Sequence, residues 1–335
     1  MKPRVLLTHG ESARRNYYGE AALAALRQVA DVRLNESDAP LVGDALIAAA
    51  RDCRAIVADR QAAAPAALFA SLPGLAVFLR CAVDVRNVDI AAASQAGVLV
   101  THASAGFGTA VAEWVMGAMI DLSRGFSDAV HAYRTGAAPA IRMGRELRGS
   151  TLGVIGYGVI GQRLCELARA FGMQVLVADP FAQVKDPGIR LLPLEELLPR
   201  ADYVSCLAPA NPQTENLMDA ARFGAMKPGA FFINASRGEL VDEQALLQAL
   251  DGGRLAGCAL DVGRAPDQMP SPALARHPRV LATPHIGGLT PPAAEHQARE
   301  TVAQWGELLA GRMPAGALNP QHAARLHLLR SPETR

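Results

Sequence analysis

Short apolar runs alternate with stretches in which apolar residues recur at helical spacing, and the alternation continues over almost the whole chain. In the first third it predicts strands at Val5–Thr8, Asp31–Leu34, Ala55–Ala58, Ala76–Arg80 and Val98–Thr101. Between them it predicts helices near Glu20–Val29, Asp44–Asp52, Ala66–Ala70 and Ile90–Ala96. A long helix follows from about Thr109 to Arg124, and Gly136 to Gly149 reads as a loop. A second set of strands is expected at Thr151–Ile155, Gln174–Ala178, Tyr203–Cys206, Ala230–Asn234, Gly257–Asp261 and Val280–Ala282. Helical spacing returns over Pro292–Ala310, before a polar, proline-interrupted tail. Strands and helices in strict alternation are the pattern of a doubly wound parallel sheet, so the expected class is α/β. Two such sets imply two domains.

One junction narrows the picture. Thr151–Ile155 feeds directly into Gly156-Tyr157-Gly158-Val159-Ile160-Gly161, after which Leu164, Leu167, Ala168 and Phe171 mark one helix face. A second strand, Gln174–Ala178, ends at Asp179. In such a unit the first glycine permits a tight turn, the second lets backbone approach a pyrophosphate, and the third lets helix pack on strand. The helix N-terminus offers unpaired N–H groups and a positive dipole end to phosphates. Asp179 can accept hydrogen bonds from ribose hydroxyls, and its charge repels a 2′-phosphate, so NAD(H) is favoured over NADP(H). The cofactor is expected at the carboxyl edge of the second sheet, near the cleft between the domains.

Composition removes other classes. At 335 residues, half hydrophobic and 19% charged, the chain can bury substantial cores. No run approaches the roughly 18 uninterrupted apolar residues of a membrane span. The start, Met1-Lys2-Pro3-Arg4-Val5-Leu6-Leu7, reads as a first strand rather than a signal peptide. A formal net charge of +1 gives no reason to expect nucleic acid or an anionic membrane as partner. Cys53, Cys81, Cys165, Cys206 and Cys258 are scattered in apolar runs and lack zinc spacing, which fits buried thiols in a cytoplasmic protein and no metal site.

Three polar residues stand just beyond strands of the second set. Arg237, in Asn234-Ala235-Ser236-Arg237-Gly238, can clamp a carboxylate and polarise the adjacent carbonyl; the alternative is a surface arginine in a capping loop. His285, fixed between Pro284 and Gly287-Gly288, titrates near neutrality and can give or take a proton, although most lone histidines are structural. Asp261 ends a third strand, where it can contact a nicotinamide or act electrostatically on His285.

These segments resemble the D-isomer-specific 2-hydroxyacid dehydrogenases over nearly the whole chain. The matching stretches are Leu152–Gly161, Met226–Ala230, Asn234–Glu243, Ala259–Val262 and Thr283–Gly288. The resemblance implies two Rossmann-like domains, with the cofactor domain (about 103–290) inserted into a discontinuous flavodoxin-like substrate domain (1–102 and 291–335). It implies NAD(H) as cofactor, a small 2-hydroxy or 2-keto acid as substrate, and a homodimer built through the cofactor domain. Arg237 matches the arginine that holds substrate carboxylate and carbonyl, and His285 the acid/base. Val159 and Ile160, with Gly156, Gly158 and Gly161, would meet the pyrophosphate and Asp179 the ribose. Pro209, Ala235, Ser236, Arg237, Asp261, His285, Gly287 and Gly288 would complete the cofactor site.

The pattern breaks twice. The family places a glutamate five residues after the Leu-Asp-Val aspartate, where it pairs with the histidine and raises its pKa. Here that position is Pro266, and Asp267 is the nearby carboxylate that could replace it or remain a solvated loop acid. The family's glycine-rich substrate loop reads Arg80-Cys81-Ala82-Val83-Asp84-Val85-Arg86-Asn87, without its glycines. Val83, Asp84 and Arg60, with Arg237, are the substrate-binding candidates; an Asp84–Arg86 structural ion pair is the alternative. His9, Arg14, Tyr17, His102 and Ser104 also stand near strand ends, each with a packing role as the alternative, and Trp114 and Trp305 read as packing.

Two functions from different classes follow: an NAD-dependent 2-hydroxyacid dehydrogenase, or an NAD(H)-sensing binding protein on the same fold, suggested by the absent glutamate. Turnover of NADH with 2-keto acids separates them.

Overall fold

The computed structural model describes residues 2–329, so Met1 and residues 330–335, the end of the tail given above to the substrate domain, lie outside the described residues. Two compact units make up the chain. One comprises the residues up to Gly106 and from Leu289 onward, the other Phe107–Gly288.

Among the described residues the first unit holds a five-stranded, wholly parallel sheet of β1 (Arg4–Leu7), β2 (Asp31–Leu34), β3 (Ala55–Ala58), β4 (Val77–Arg80) and β5 (Leu99–His102), in the order β2-β1-β3-β4-β5. This is the flavodoxin-like order. Side chains alternate across a strand, so a sheet covered on both faces needs apolar residues at every position. Val5 and Leu7 accordingly enter one core with Ala22, Leu26, Ala298 and Trp305, while Leu6 enters the other with Leu46, Leu68 and Phe69. Helices Glu20–Val29 and Pro291–Leu309 cover the first face. Helices Gly43–Ala50, Ala66–Ser71 and Ile90–Gln95 cover the second. The edge of β5 is not left open. Leu318 N–H donates to Val100 O (2.9 Å), and the buried Asn319 accepts from Val100 N–H (2.8 Å) and donates to Val98 O (2.9 Å). The tail that reads as merely polar thus pairs with and covers a sheet edge.

The second unit holds a seven-stranded parallel sheet among its described residues: β6 (Thr151–Ile155), β7 (Gln174–Ala178), β8 (Ile189–Leu191), β9 (Tyr203–Cys206), β10 (Ala230–Asn234), β11 (Leu255–Leu260) and β12 (Val280–Ala282). Their order is β12-β11-β10-β9-β6-β7-β8. This is a Rossmann sheet with one added strand, and its strand order reverses beside β6. Helices Gly108–Arg124 and Val159–Ala170 pack one face through Val111, Val115, Met119, Leu164 and Ala168. Helix Glu243–Asp251 packs the other through Leu246 and Leu250.

The apolar pattern misses helices Glu11–Tyr17, Phe126–Arg134, Leu194–Leu197, Ala220–Ala225, Glu243–Asp251 and Pro272–Ala275 and strand β8. Helices Glu11–Tyr17 and Phe126–Arg134 have no buried residue and β8 has one, so there is no core-facing stripe to read. Helix Glu243–Asp251, by contrast, buries Ala245, Leu246 and Leu250 and goes unread between the strands all the same. Trp305 is fully buried and Trp114 partly so, both in apolar clusters. No helix among the described residues is long and apolar enough to cross a membrane.

The first unit also buries charge. Arg80 is 1% exposed and all three of its guanidinium nitrogens donate: Nε to Asp84 O (3.0 Å), Nη1 to Asp59 O and Ala62 O, Nη2 to Arg60 O (2.7 Å) and Asn87 Oδ1 (2.9 Å). One cation therefore ties the loop after β3 to the loop after β4. Nearby, burial pushes the His9 imidazole down from 6.5 to about 4, with Asp59 opposing the shift and Arg80 and Arg14 adding to it. Between those two values the unfolded chain binds a proton that the folded chain does not. The His9 contribution to stability is therefore level above about pH 6.5 and falls as pH drops toward 4, by an amount on the order of 3 kcal/mol. In urea titrations across this window, His9→Gln should flatten the slope; an unchanged slope would assign the pH dependence elsewhere.

Candidate active site

The glycine turn is built by three different constraints. Gly156 has φ +98°, and a Cβ there would stand 2.8 Å from Ala208 N and Leu207 C. A Cβ on Gly161 would stand 2.2 Å from Gly156 O. At Gly158 a Cβ would meet nothing within 4 Å. The outer two glycines are thus demanded by the protein's own packing. The middle one faces open space, as it should if its missing side chain makes room for something else. Helix Val159–Ala170 begins here with no side chain capping its N-terminus, and Val159 is 62% exposed. Asp179, one residue beyond β7, accepts from Tyr157 N–H and Phe181 N–H, both at 2.8 Å. It is thereby fixed against the glycine turn. A dinucleotide fits this constellation: backbone N–H groups for a pyrophosphate, an uncrowded glycine, and an anchored carboxylate for a ribose.

The neighbouring strand ends are linked in series. Ser236 Oγ donates to Ala208 O (2.6 Å), joining the loop after β10 to the loop after β9, where Pro209 is exposed. Asp261 N–H donates to Asn234 O (3.1 Å) and Thr283 N–H to Leu260 O (2.9 Å), which continue the β10-β11-β12 pairing past the strands. Arg237, Asp261 and His285 therefore follow three adjacent strands at one sheet edge. Strands lie about 4.8 Å apart, so the loops carrying Arg237 and His285 start about 10 Å apart.

Each of the three is shaped locally. The side chain of buried Asn234 donates to Arg237 O (2.9 Å) and accepts from Ser236 N–H (3.1 Å), fixing the turn from which half-buried Arg237 projects. Arg237 Nη1 donates to Ser236 O (2.7 Å). A Cβ on Gly238 would fall 2.2 Å from Gly263 C, so the arginine loop lies directly on the loop after β11. His285 has φ +55°, a left-handed backbone that costs a residue with a side chain roughly 1–3 kcal/mol and is found preferentially at functional sites. Asp261 is 3% exposed and accepts three hydrogen bonds from the segment around His285.

Pro266, at the family's glutamate position, is exposed and opens the short 3-10 turn Pro266–Gln268; the side chain of Asp267 lies outside the described residues. Gln268 has φ +60° and its Nε2 donates to Glu239 Oε1 (3.3 Å). Arg264 bonds Glu215, Asn216, Glu239 O and Val241 O, anchoring this segment. Sequence reading passes over Asn234, Thr283 and Arg264 as site builders. The first two stand in quoted motifs at strand ends, a usable signal, whereas Arg264 has none.

In the first unit, Arg60 is exposed while its carbonyl accepts from Arg80 and Asn87. Val83 and Asp84 are half-buried, and Asp84 pairs with Arg86, Nη2 to Oδ2 at 2.8 Å. Arg14 donates to His9 O and Asn35 O, and Ser104 bonds Glu300 and His296. No group of three or more His, Cys, Asp or Glu suited to a metal occurs among the described residues.

Residues 116–287 match the family model of the D-isomer specific 2-hydroxyacid dehydrogenase NAD binding domain. The D-3-phosphoglycerate dehydrogenase of Rattus norvegicus is 34% identical over 281 residues, covering 82% of this chain and 52% of that protein. The chain thus spans about half the length of the curated relatives it matches. Among solved structures, the TT0316 protein from Thermus thermophilus superposes with a TM-score of 0.84 at 31% identity, covering 94% of this chain and 99% of that one. The apo-structure of D-lactate dehydrogenase from Escherichia coli gives 0.82 at 25% identity, with the same coverage of each chain.

The glycine constraints make opposite predictions. Gly161→Ala should cost at least about 2 kcal/mol of stability, because the clash is with backbone. Gly158→Ala should unfold like the wild type in urea yet bind NADH at least tenfold more weakly by fluorescence titration. Equal effects on both properties in the two variants would refute the assignment.

Proposed function

The chain belongs to the D-isomer specific 2-hydroxyacid dehydrogenases, and on that premise we propose that it interconverts a small 2-keto acid and the 2-hydroxy acid with NAD(H). When bound, NAD(H) supplies hydride exchange at nicotinamide C4. The chain's residues do the rest. The pyrophosphate is held by the N-terminus of helix Val159–Ala170 with Val159 and Ile160, and the ribose by Asp179, whose charge disfavours NADP(H). Pro209, Ala235, Ser236, Gly287 and Gly288 line the cofactor. Arg237 grips the substrate carboxylate and lowers the energy of charge developing on the C2 oxygen, where electrostatic stabilisation is most effective. His285 delivers a proton to that oxygen in reduction and removes it in oxidation. Asp267 takes the place of the family's glutamate and favours the protonated imidazole.

One observation carries the reading. Arg237 and His285 follow β10 and β12 at the edge that also bears the glycine turn, and His285 holds a left-handed backbone there. A module that merely senses NAD(H) has no use for a costly histidine conformation.

The same unit also supports the homodimer. Helix Phe126–Arg134 buries no residue of its own, and Phe126, Val130 and Tyr133 are exposed. In the irregular segment after it, Ile141 and Met143 are fully exposed. Side chains this apolar in open solvent suit burial against a second copy of the chain.

Absorbance at 340 nm with NADH and a panel of 2-keto acids tests the reaction. At least one acid should be turned over, Arg237→Lys and His285→Asn should each lower kcat/KM by about 10²-fold or more, and Asp267→Asn should move the pH profile to lower pH. Tight NADH binding with no turnover of any acid would favour the sensor. For the dimer, Ile141→Asp with Met143→Asp should convert a dimer to monomer by sedimentation; a wild-type monomer would refute it.

A further inference from the structure

Most of the bonding capacity of one buried carboxylate is spent on a single turn. Asp261 Oδ1 accepts from the Thr283 hydroxyl (2.6 Å) and from Ile286 N–H (2.8 Å), and Oδ2 accepts from Gly287 N–H (2.7 Å). Those donors lie on both sides of His285. A carboxylate offers about four acceptor positions, so three are engaged within one five-residue stretch. Hydrogen bonds to an ionised acceptor in a dry site are among the stronger ones available. The position of the carboxylate is itself fixed, because Asp261 N–H continues the sheet to Asn234 O (3.1 Å). The turn is shaped to admit it: a Cβ on Gly287 would stand 2.7 Å from Oδ2, so any side chain there would press against the clasp. Between these contacts sits His285 at φ +55°, a conformation that a free chain seldom adopts. Pro284, with no N–H of its own, stiffens the approach.

We propose that Asp261 is a positioning residue, and Thr283 its partner: together they clasp the turn and hold His285 in its left-handed backbone. This rests on the dehydrogenase reading, in which His285 exchanges a proton with the C2 oxygen, and adds a role that the family resemblance does not supply, since that places Asp261 at the nicotinamide. The clasp acts on the reaction by orienting the imidazole before substrate arrives. Misplacement by about 1 Å can cost about 10²-fold in rate. The two roles separate kinetically. A residue that contacts the cofactor changes KM for NADH, whereas one that holds the histidine changes kcat.

The test uses the full chain with Asp261→Asn, Thr283→Val and Thr283→Ser, read by steady-state kinetics and by amide hydrogen exchange at Ile286 and Gly287. Asp261→Asn should lower kcat by about 10²-fold and Thr283→Val by about tenfold, with KM for NADH within about twofold of wild type. Thr283→Ser, which keeps the hydroxyl, should recover most of the rate. In both damaging variants the Ile286 and Gly287 amides should lose exchange protection. Protection unchanged in Thr283→Val and in a folded Asp261→Asn would overturn the clasp, as would a raised KM for NADH with kcat intact. If Asp261→Asn does not fold, Thr283→Val decides alone. Hydrogen exchange needs no substrate, so if the wild type turned over no keto acid the dehydrogenase reading would fail while the clasp was still judged.

Discussion

In a parallel sheet every strand ends at the same edge, and that constraint organises the second unit. Strands drawn from Thr151 through Ala282 deliver their carboxyl ends side by side: the glycine turn after β6, Asp179 after β7, Arg237 after β10, Asp261 after β11 and His285 after β12. The hydrogen bonds that pair the strands continue beyond them, from Asp261 to Asn234 and from Thr283 to Leu260. Sheet pairing and site geometry are therefore one network, and a shift of register would displace chemistry as well as core.

Close approach to a glycine, by backbone at Gly161 and Gly238 and by a carboxylate at Gly287, is the second recurring device. Gly161 against Gly156 O, Gly238 against Gly263 and Gly287 against Asp261 are all contacts that a methyl group would break. They bring consecutive loops closer than side chains would permit. Gly158 is the exception, with empty space where its side chain would be. Within the glycine turn this is the one position where the protein's own packing does not demand a glycine.

Buried charge is handled differently in the two units. In the first, Arg80 is satisfied mostly by backbone carbonyls and fixes the loops that carry Arg60 and Asp84. In the second, Asp261 is satisfied mostly by backbone N–H groups and fixes the loop that carries His285. In both, an ion is kept in a dry place by main-chain dipoles, and the outcome is a loop with one shape.

Apolar runs and helical spacing were enough to read every described strand but β8 to within two residues, together with the alternation of sheet and helix and the dinucleotide turn. Burial on both faces writes itself into every position of a parallel strand. Where an element buries little, as in helices Glu11–Tyr17 and Phe126–Arg134 and strand β8, the pattern carried no trace. Arg237 and His285 were legible because they closely follow apolar runs. Which groups hold them was not. Asp261 and Thr283 are 22 residues apart in sequence, and only the pairing of β11 with β12 brings carboxylate and hydroxyl to 2.6 Å. The left-handed turn at His285 and the cation bridge at Arg80 likewise arise from contacts across strands, which a linear order of residue types does not encode.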